Sequence, residues 1–142
     1  MTSERSLLTR SNVLLVVGTL VAPWLLCQAY ILTTAGDEPF ETMPECDANS
    51  RNCAHLGGAA DFRMEALSLI IDVPLIEVRE HLDAYIESNN ADVLVEEQDE
   101  NSTYIHFVER TSFWRFPDDV VVAASVVDST STQIELHSQS RL

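Results

Sequence analysis

The sequence predicts an α+β protein: an N-terminal transmembrane helix, then a small antiparallel sheet with one packed helix, in the order β-α-β-β-β-β. Three observations predict it. Val13 to Leu32 is apolar except for Thr19 and Gln28; Leu75, Val78, Leu82, Tyr85 and Ile86 recur at helical spacing; and four strand-like runs follow, separated by short polar turns.

The apolar run lies between Arg10 and Asp37, with no charge in between. A run of this length crosses a hydrocarbon core of about 30 Å as a helix. Arg5 and Arg10 precede it and Asp37, Glu38 and Glu41 follow it, and basic flanks favour the cytoplasmic side. Residues 1–10 are therefore expected in the cytoplasm, residues 11–34 as the transmembrane helix touching the lipid bilayer through residues 13–32, and the remainder outside. The expected location is the cell membrane, in a single pass. The rival reading is a cleaved signal peptide cut near Thr33 to Ala35, but its apolar core is usually only about 7–15 residues. Leu26 before Cys27 and the apolar residues after it argue against a lipidated cysteine. Pro23 removes one helix hydrogen bond, which spanning helices tolerate.

Composition gives a second signal. The chain has eight arginines and no lysine against 23 acids, a formal charge of −15, and only Glu4 of those acids precedes the apolar run. Such a domain repels phosphates, so no nucleic-acid partner is expected. Its self-repulsion is tolerable where molar salt shortens the Debye length to about 3 Å. The reading is a halophile, specifically an extremely halophilic archaeon. A hydrophobic content of 46% and clear patterning exclude an acidic disordered tail.

Residues 35–60 read as a linker or cap, rich in Gly, Pro, Asp, Glu and Asn and without periodicity. They hold Cys46 and Cys53, most simply a disulfide closing a short loop outside the cytoplasm. Adding His55 makes a Cys-x6-Cys-x-His arrangement, but a structural zinc normally takes four protein ligands and only three are local. Residues 61–142 read as an acidic α+β domain. Arg63 to Ile71 alternates as a strand, Asp72 can cap the following helix with Pro74 in its first turn, and Asn89-Asn90 ends it. Arg79 and Asp83 make an i,i+4 pair on its wet side. The strands are Val93 to Glu97, Thr103 to Arg110, Asp119 to Val127 and Thr132 to Gln139, with hairpin loops at Gln98 to Ser102 and Asp128 to Ser131. VVVAASVV is apolar on both faces and suits a central strand.

The chain also resembles a known family. CDANSRNC is similar to its C-x-x-S-P-N-C type element, RTSFWRFPDDVVV to its R-x-x-F-F-x-F-P-D-D-V element and HSQSRL to its S-x-S-R element; the family is called domain of unknown function 1499. The resemblance, from about Pro44 to Leu142, implies a membrane-associated or exported domain without an established activity. It marks Cys46, Cys53, Arg110, Phe116, Pro117, Asp118, Asp119, Ser138, Ser140 and Arg141. Arg51 stands where the family usually has Pro. The chain stops just after Arg141, where members usually continue through a polar segment into another helix, so it reads as a haloarchaeal-type member lacking that extension.

Adjacent Asp118 and Asp119 at a strand start point to opposite faces, which opposes a shared proton. Either one, with Asp128 or Glu109, could offer oxygens to Ca²⁺; the simpler reading is a pair with Arg110, Arg115 or Arg141. His106 and His137 read as half-buried strand side chains. No activated nucleophile and no phosphate loop is recognisable, so no catalytic residue, metal or cofactor is assigned. Phe113-Trp114-Arg115-Phe116 is either core or an exposed binding edge for a partner or lipid. Asn101-Ser102-Thr103 is a glycosylation sequon in a hairpin loop. The expected function is a noncatalytic, membrane-anchored binding or envelope-accessory module. The alternative is a metal-dependent enzyme using Asp118, Asp119 or His137. One helix covers one sheet face, so the other face, near Val121, Ala123 and Phe113, is expected to meet residues 35–60, a protein partner or a second copy.

Overall fold

The computed structural model describes residues 10–47, 50–57 and 69–142, with side chains from Leu15 onward. It contains α1 (Arg10–Thr34), β1 (Cys53–Leu56), β2 (Leu69–Ile71), α2 (Leu75–Asn89), β3 (Asp92–Gln98), β4 (Ser102–Arg110), β5 (Pro117–Asp128) and β6 (Ser131–Ser140). The class is mixed α+β, as the sequence predicts. All strand pairs are antiparallel, in the order β1-β6-β5-β4-β3, with β2 sharing the outer edge of β6 beside β1.

Apolar composition makes α1 a helix with almost no buried surface: Leu15, Leu20, Leu26 and Leu32 are open, and Ile31 is buried at 4% exposure. Leu15–Thr34 is long and apolar enough to cross a membrane, a test that a signal sequence near an N-terminus also passes. The Thr19 hydroxyl donates back to the carbonyls of Leu15 and Val16, so this polar side chain is satisfied within the helix.

The strands follow the period-2 pattern. Ile105 and Phe107 of β4 and Val122 of β5 form the core on one face, where Leu82 and Ile86 of α2 and Ile134 and Leu136 of β6 pack. β5 is central, as its apolar run predicts, and both hairpin loops begin with an acceptor: Asp99 takes the N–H groups of Asn101 and Ser102, and Asp128 that of Thr130.

Three expectations are corrected. Residues 35–60 are not all linker, because Cys53–Leu56 forms β1 and gives the sheet six strands. Gly57 ends β1 at φ 85°, where a Cβ would stand 2.8 Å from the Ile134 carbonyl oxygen, a place only glycine fits. Asp72 is not the cap of α2: Pro74 is, without a side-chain cap bond, because the residue before proline is kept out of the helical region. Arg79 does not decorate the wet side; its guanidinium donates to the carbonyls of Asp99 and Ser102 and ties α2 to the β3–β4 turn. Of the strand expected over residues 63–71, Leu69–Ile71 is present and the rest lies outside the described residues.

Asn90 closes α2 in the left-handed region at φ 49°, its N–H bonded to the carbonyl of Glu87. Asn90→Gly is expected to be nearly neutral, and Asn90→Val to cost about 1–2 kcal/mol. Urea unfolding of the two variants measures the difference.

Candidate functional site

The sheet face opposite α2 carries an unusual set of side chains. Pairing places His55 of β1 beside His137 of β6, His137 beside Val121 of β5, and Val121 beside His106 of β4. Three histidines and Val121 thus form one row across four strands. All are buried, with His106, Val121 and His137 at 0% exposure; His106 and His137 are thus not the half-buried strand residues expected. Asp119, two residues before Val121 on the same face, is buried as well.

This face is covered by the chain itself. Phe40 lies over the row, its ring centroid 4.9 Å from that of His106 and 6.5 Å from that of His137. The Tyr104 hydroxyl donates to the Phe40 carbonyl at 2.9 Å, and the Phe40 N–H donates to His106 Nδ1 at 2.9 Å. Residues following α1 therefore close the face at Val121, which is not an open surface; Phe113 remains exposed at the end of the β4–β5 connection.

The Phe40 bond also fixes the state of His106. A backbone N–H can only donate, so Nδ1 accepts and Nε2 carries the proton, which goes to Asp119 Oδ1 at 2.6 Å. Arg141 completes the arrangement with a two-pronged contact: Nε donates to Asp119 Oδ2 at 2.9 Å and Nη2 to Oδ1 at 2.6 Å. Arg141 Nη1 donates to Asp37 Oδ1 at 2.6 Å and to the Gly36 carbonyl. Burial opposes the charge of the Arg141 guanidinium, but the charged hydrogen bonds it donates to Asp119 and Asp37 outweigh this and hold it more strongly protonated. Both nitrogens of His106 are engaged, so it has no free lone pair to act as a base. The cluster is a polar bolt that fastens the segment after α1 to the sheet.

A second cluster lies at the β1 end. Cys46 and Cys53 form a disulfide with Cα atoms 5.7 Å apart, and Cys53 Sγ stands 3.6 Å from His137 Nε2. His137 Nδ1 faces His55 Nδ1 at 3.4 Å, and His55 Nε2 donates to Glu135 Oε1 at 2.9 Å. Burial holds the His137 pKa below its usual value, a hydrogen bond accepted by Gln139 opposes this, and His55 lowers it further; Asp119 and His106 act more weakly and in opposite senses.

The remaining residues singled out in the sequence are distributed around these clusters. Asp118 and Asp119 do point to opposite faces, and the aspartate that pairs, Asp119, chooses Arg141. Asp118 lines a cleft with Asn52, Ser138 and Ser140 on the other face. Pro117 is buried and its carbonyl takes the Arg141 N–H. Arg110 reaches Asp92 at 3.4 Å and Asp37 at 3.9 Å. Phe116 is half-buried and stacks on Trp114, while Asn101 is exposed in its loop.

The three sequence elements around Cys46–Cys53, Pro117–Asp119 and Ser138–Arg141 meet at one end of the sheet. The family model described as "Protein of unknown function (DUF1499)" matches residues 42–142. The chain belongs to this family. No curated protein and no solved structure matches it. The match holds β1, the disulfide and all three buried histidines, while α1 and the Asp37–Phe40 segment lie before it.

Proposed function

We propose that this member of the family is a single-pass membrane protein with a cytoplasmic N-terminus, whose domain sits outside the cell directly on the bilayer as a noncatalytic binding or envelope-accessory module. One observation carries the reading: Leu15–Thr34 is long and apolar enough to cross a membrane, and its apolar side chains stand almost all open; the middle of this helix also touches the domain. Trp24 Nε1 donates to the Phe113 carbonyl at 2.9 Å and Gln28 Nε2 to the Trp114 carbonyl at 2.7 Å. A helix of about 1.5 Å rise per residue places Trp24 on the order of 15 Å from the Thr34 end. A full span would carry the β4–β5 connection to that depth while these two bonds hold, and bonds opened on insertion leave it at the lipid surface. Phe113 is 67% and Trp114 41% exposed there, and aromatic side chains favour the headgroup level.

The disulfide supports an oxidising space, and the charge of −15 supports a halophilic source. The reading without catalysis is supported by the bolt: the Asp119 carboxylate is used by His106 and Arg141, and Asp118 does not converge with it. Lipid is the contact that the exposed aromatics favour; a protein partner would reach the domain at the same level.

Topology is tested with Ser88→Cys, an exposed position on α2, and a membrane-impermeant maleimide on intact cells. Labelling before lysis is expected, together with an uncleaved N-terminal peptide and, where the host attaches glycans, modification of Asn101. Labelling only after lysis places the domain inside, and a mature chain lacking α1 makes the helix a signal sequence.

A further inference from the structure

Cys53, His137, His55 and Glu135 form a chain of contacts that a disulfide alone does not require. Cys46, Cys53 and His137 bring their ligand atoms within 4.8 Å of one another from three separate parts of the fold: the segment before β1, β1 itself and β6. We propose that the Cys46–Cys53 disulfide is the closed form of a metal site. In the reduced form the two thiolates and His137 Nε2 take one soft closed-shell cation, Zn²⁺, with the fourth position open to water.

Three observations carry this beyond proximity. In a tetrahedral zinc site with usual bond lengths, a sulfur and a nitrogen ligand stand about 3.6 Å apart, and Cys53 Sγ is 3.6 Å from His137 Nε2. A histidine that binds metal through one nitrogen gives its other N–H to an acceptor that fixes the ring. His137 Nδ1 has such an acceptor in His55 Nδ1 at 3.4 Å, because His55 uses its own proton on Glu135 at 2.9 Å. The relay from Glu135 through His55 to His137 thus leaves Nε2 as the nitrogen with a lone pair, and Cys53 Sγ stands beside the ring at 3.6 Å from Nε2 and 3.9 Å from Nδ1, so a small turn of the ring brings the lone pair onto the sulfurs. Third, Cys53 and His137 are buried while Cys46 is half-buried, so an outside reductant has a sulfur to reach.

The chemistry balances with a dithiol reductant. One thiolate of the dithiol attacks a Cys46–Cys53 sulfur and the other cysteine leaves as thiolate. The second thiol of the reductant then displaces the mixed disulfide, so that the reductant becomes a disulfide and the protein holds two thiols. Each thiol gives its proton to solvent as its sulfur–zinc bond forms, two protons per ion. Oxidation reverses this and releases the metal, because a disulfide sulfur is no longer a thiolate ligand. This inference does not depend on which side of the membrane the domain occupies.

The test uses the full chain in detergent, oxidised or reduced with a phosphine and freed of reductant without air. Zn²⁺ is titrated against a chromophoric chelator, and Co²⁺ reports the ligand set through its sulfur charge-transfer and tetrahedral d–d bands. The reduced chain is expected to bind one ion per molecule, on the order of 100-fold tighter than the oxidised chain, with far-ultraviolet circular dichroism unchanged. His137→Ala should lose the tetrahedral cobalt spectrum while keeping two titratable thiols at this site, and Glu135→Gln should weaken binding by about 10–100-fold. Equal binding by the oxidised and reduced chains, or loss of the sheet on reduction, overturns the proposal. So does a His137→Ala chain that keeps its circular dichroism and binds cobalt with the wild-type spectrum.

Discussion

Replacing Arg141 by methionine is expected to lower the stability of the domain by about 3–5 kcal/mol, because breaking a buried ion pair leaves the other charge without its partner. The side chains of Arg141 and Asp119 are 7% and 6% exposed, so solvent cannot take the place of the lost guanidinium. Asp119 would keep only His106 Nε2, while Asp37 and the Gly36 carbonyl would lose their donor. The segment carrying Phe40 is held by those same groups, so the cover over the histidine row should loosen with it. Urea unfolding measures the first effect, and hydrogen exchange at the Phe40 amide measures the second. In the double variant Arg141→Met/Asp119→Asn the cost should be well below the sum of the single ones, since no bare charge remains. A cost under about 1 kcal/mol for Arg141→Met would mean that the pair behaves as an exposed one, and the bolt would lose its role.

The four long strands and their hairpins are legible in the sequence because two local signals agree there. Side chains alternate with period 2, and each loop starts with an aspartate that can fold back on the next N–H groups. The helix stripe is legible for the same reason, down to Leu82 and Ile86 on the core. What is not legible depends on register. His55, His106 and His137 are far apart in the chain, and each reads singly as one polar residue on an apolar face. Only the pairing of β1 with β6, of β6 with β5 and of β5 with β4 puts them in a row, and β1 lies in a stretch without enough length to show a period. Cys53 and His55 are two positions apart, which puts them on one face of any strand formed there; that spacing was the available signal. The choice of Arg141 among three candidate arginines for Asp119 is likewise set by register, since Asp119 lies opposite Gln139 near the end of β6. The role of Arg79 is hidden because a helix pattern shows an i,i+4 neighbour but not a distant turn.

Transfer from molar salt to about 0.1 M is expected to abolish cooperative folding of the α+β domain, since the Debye length grows from about 3 Å to about 10 Å and neighbouring carboxylates begin to repel across the surface. The structure locates where this acts most. From Glu77 to Glu100 every acid is exposed, on α2, β3 and the turn that follows, namely Glu77, Glu80, Asp83, Glu87, Asp92, Glu96, Glu97, Asp99 and Glu100. The one basic residue in that stretch, Arg79, is committed to the carbonyls of Asp99 and Ser102. Repulsion is therefore concentrated on the helix and the edge strand, and α2 packs on the sheet mainly through Leu75, Leu82 and Ile86. At low salt α2 and β3 should separate first, while β4, β5 and β6, fastened by Asp119 and Arg141, should protect their amides longest. Replacing Glu80, Asp83 and Glu87 together by glutamine should shift the salt midpoint downward without changing the buried contacts. Circular dichroism and hydrogen exchange along a salt titration measure both effects. Full thermal stability of the unsubstituted chain at 0.1 M salt would show that the acidic surface is not a halophilic adaptation.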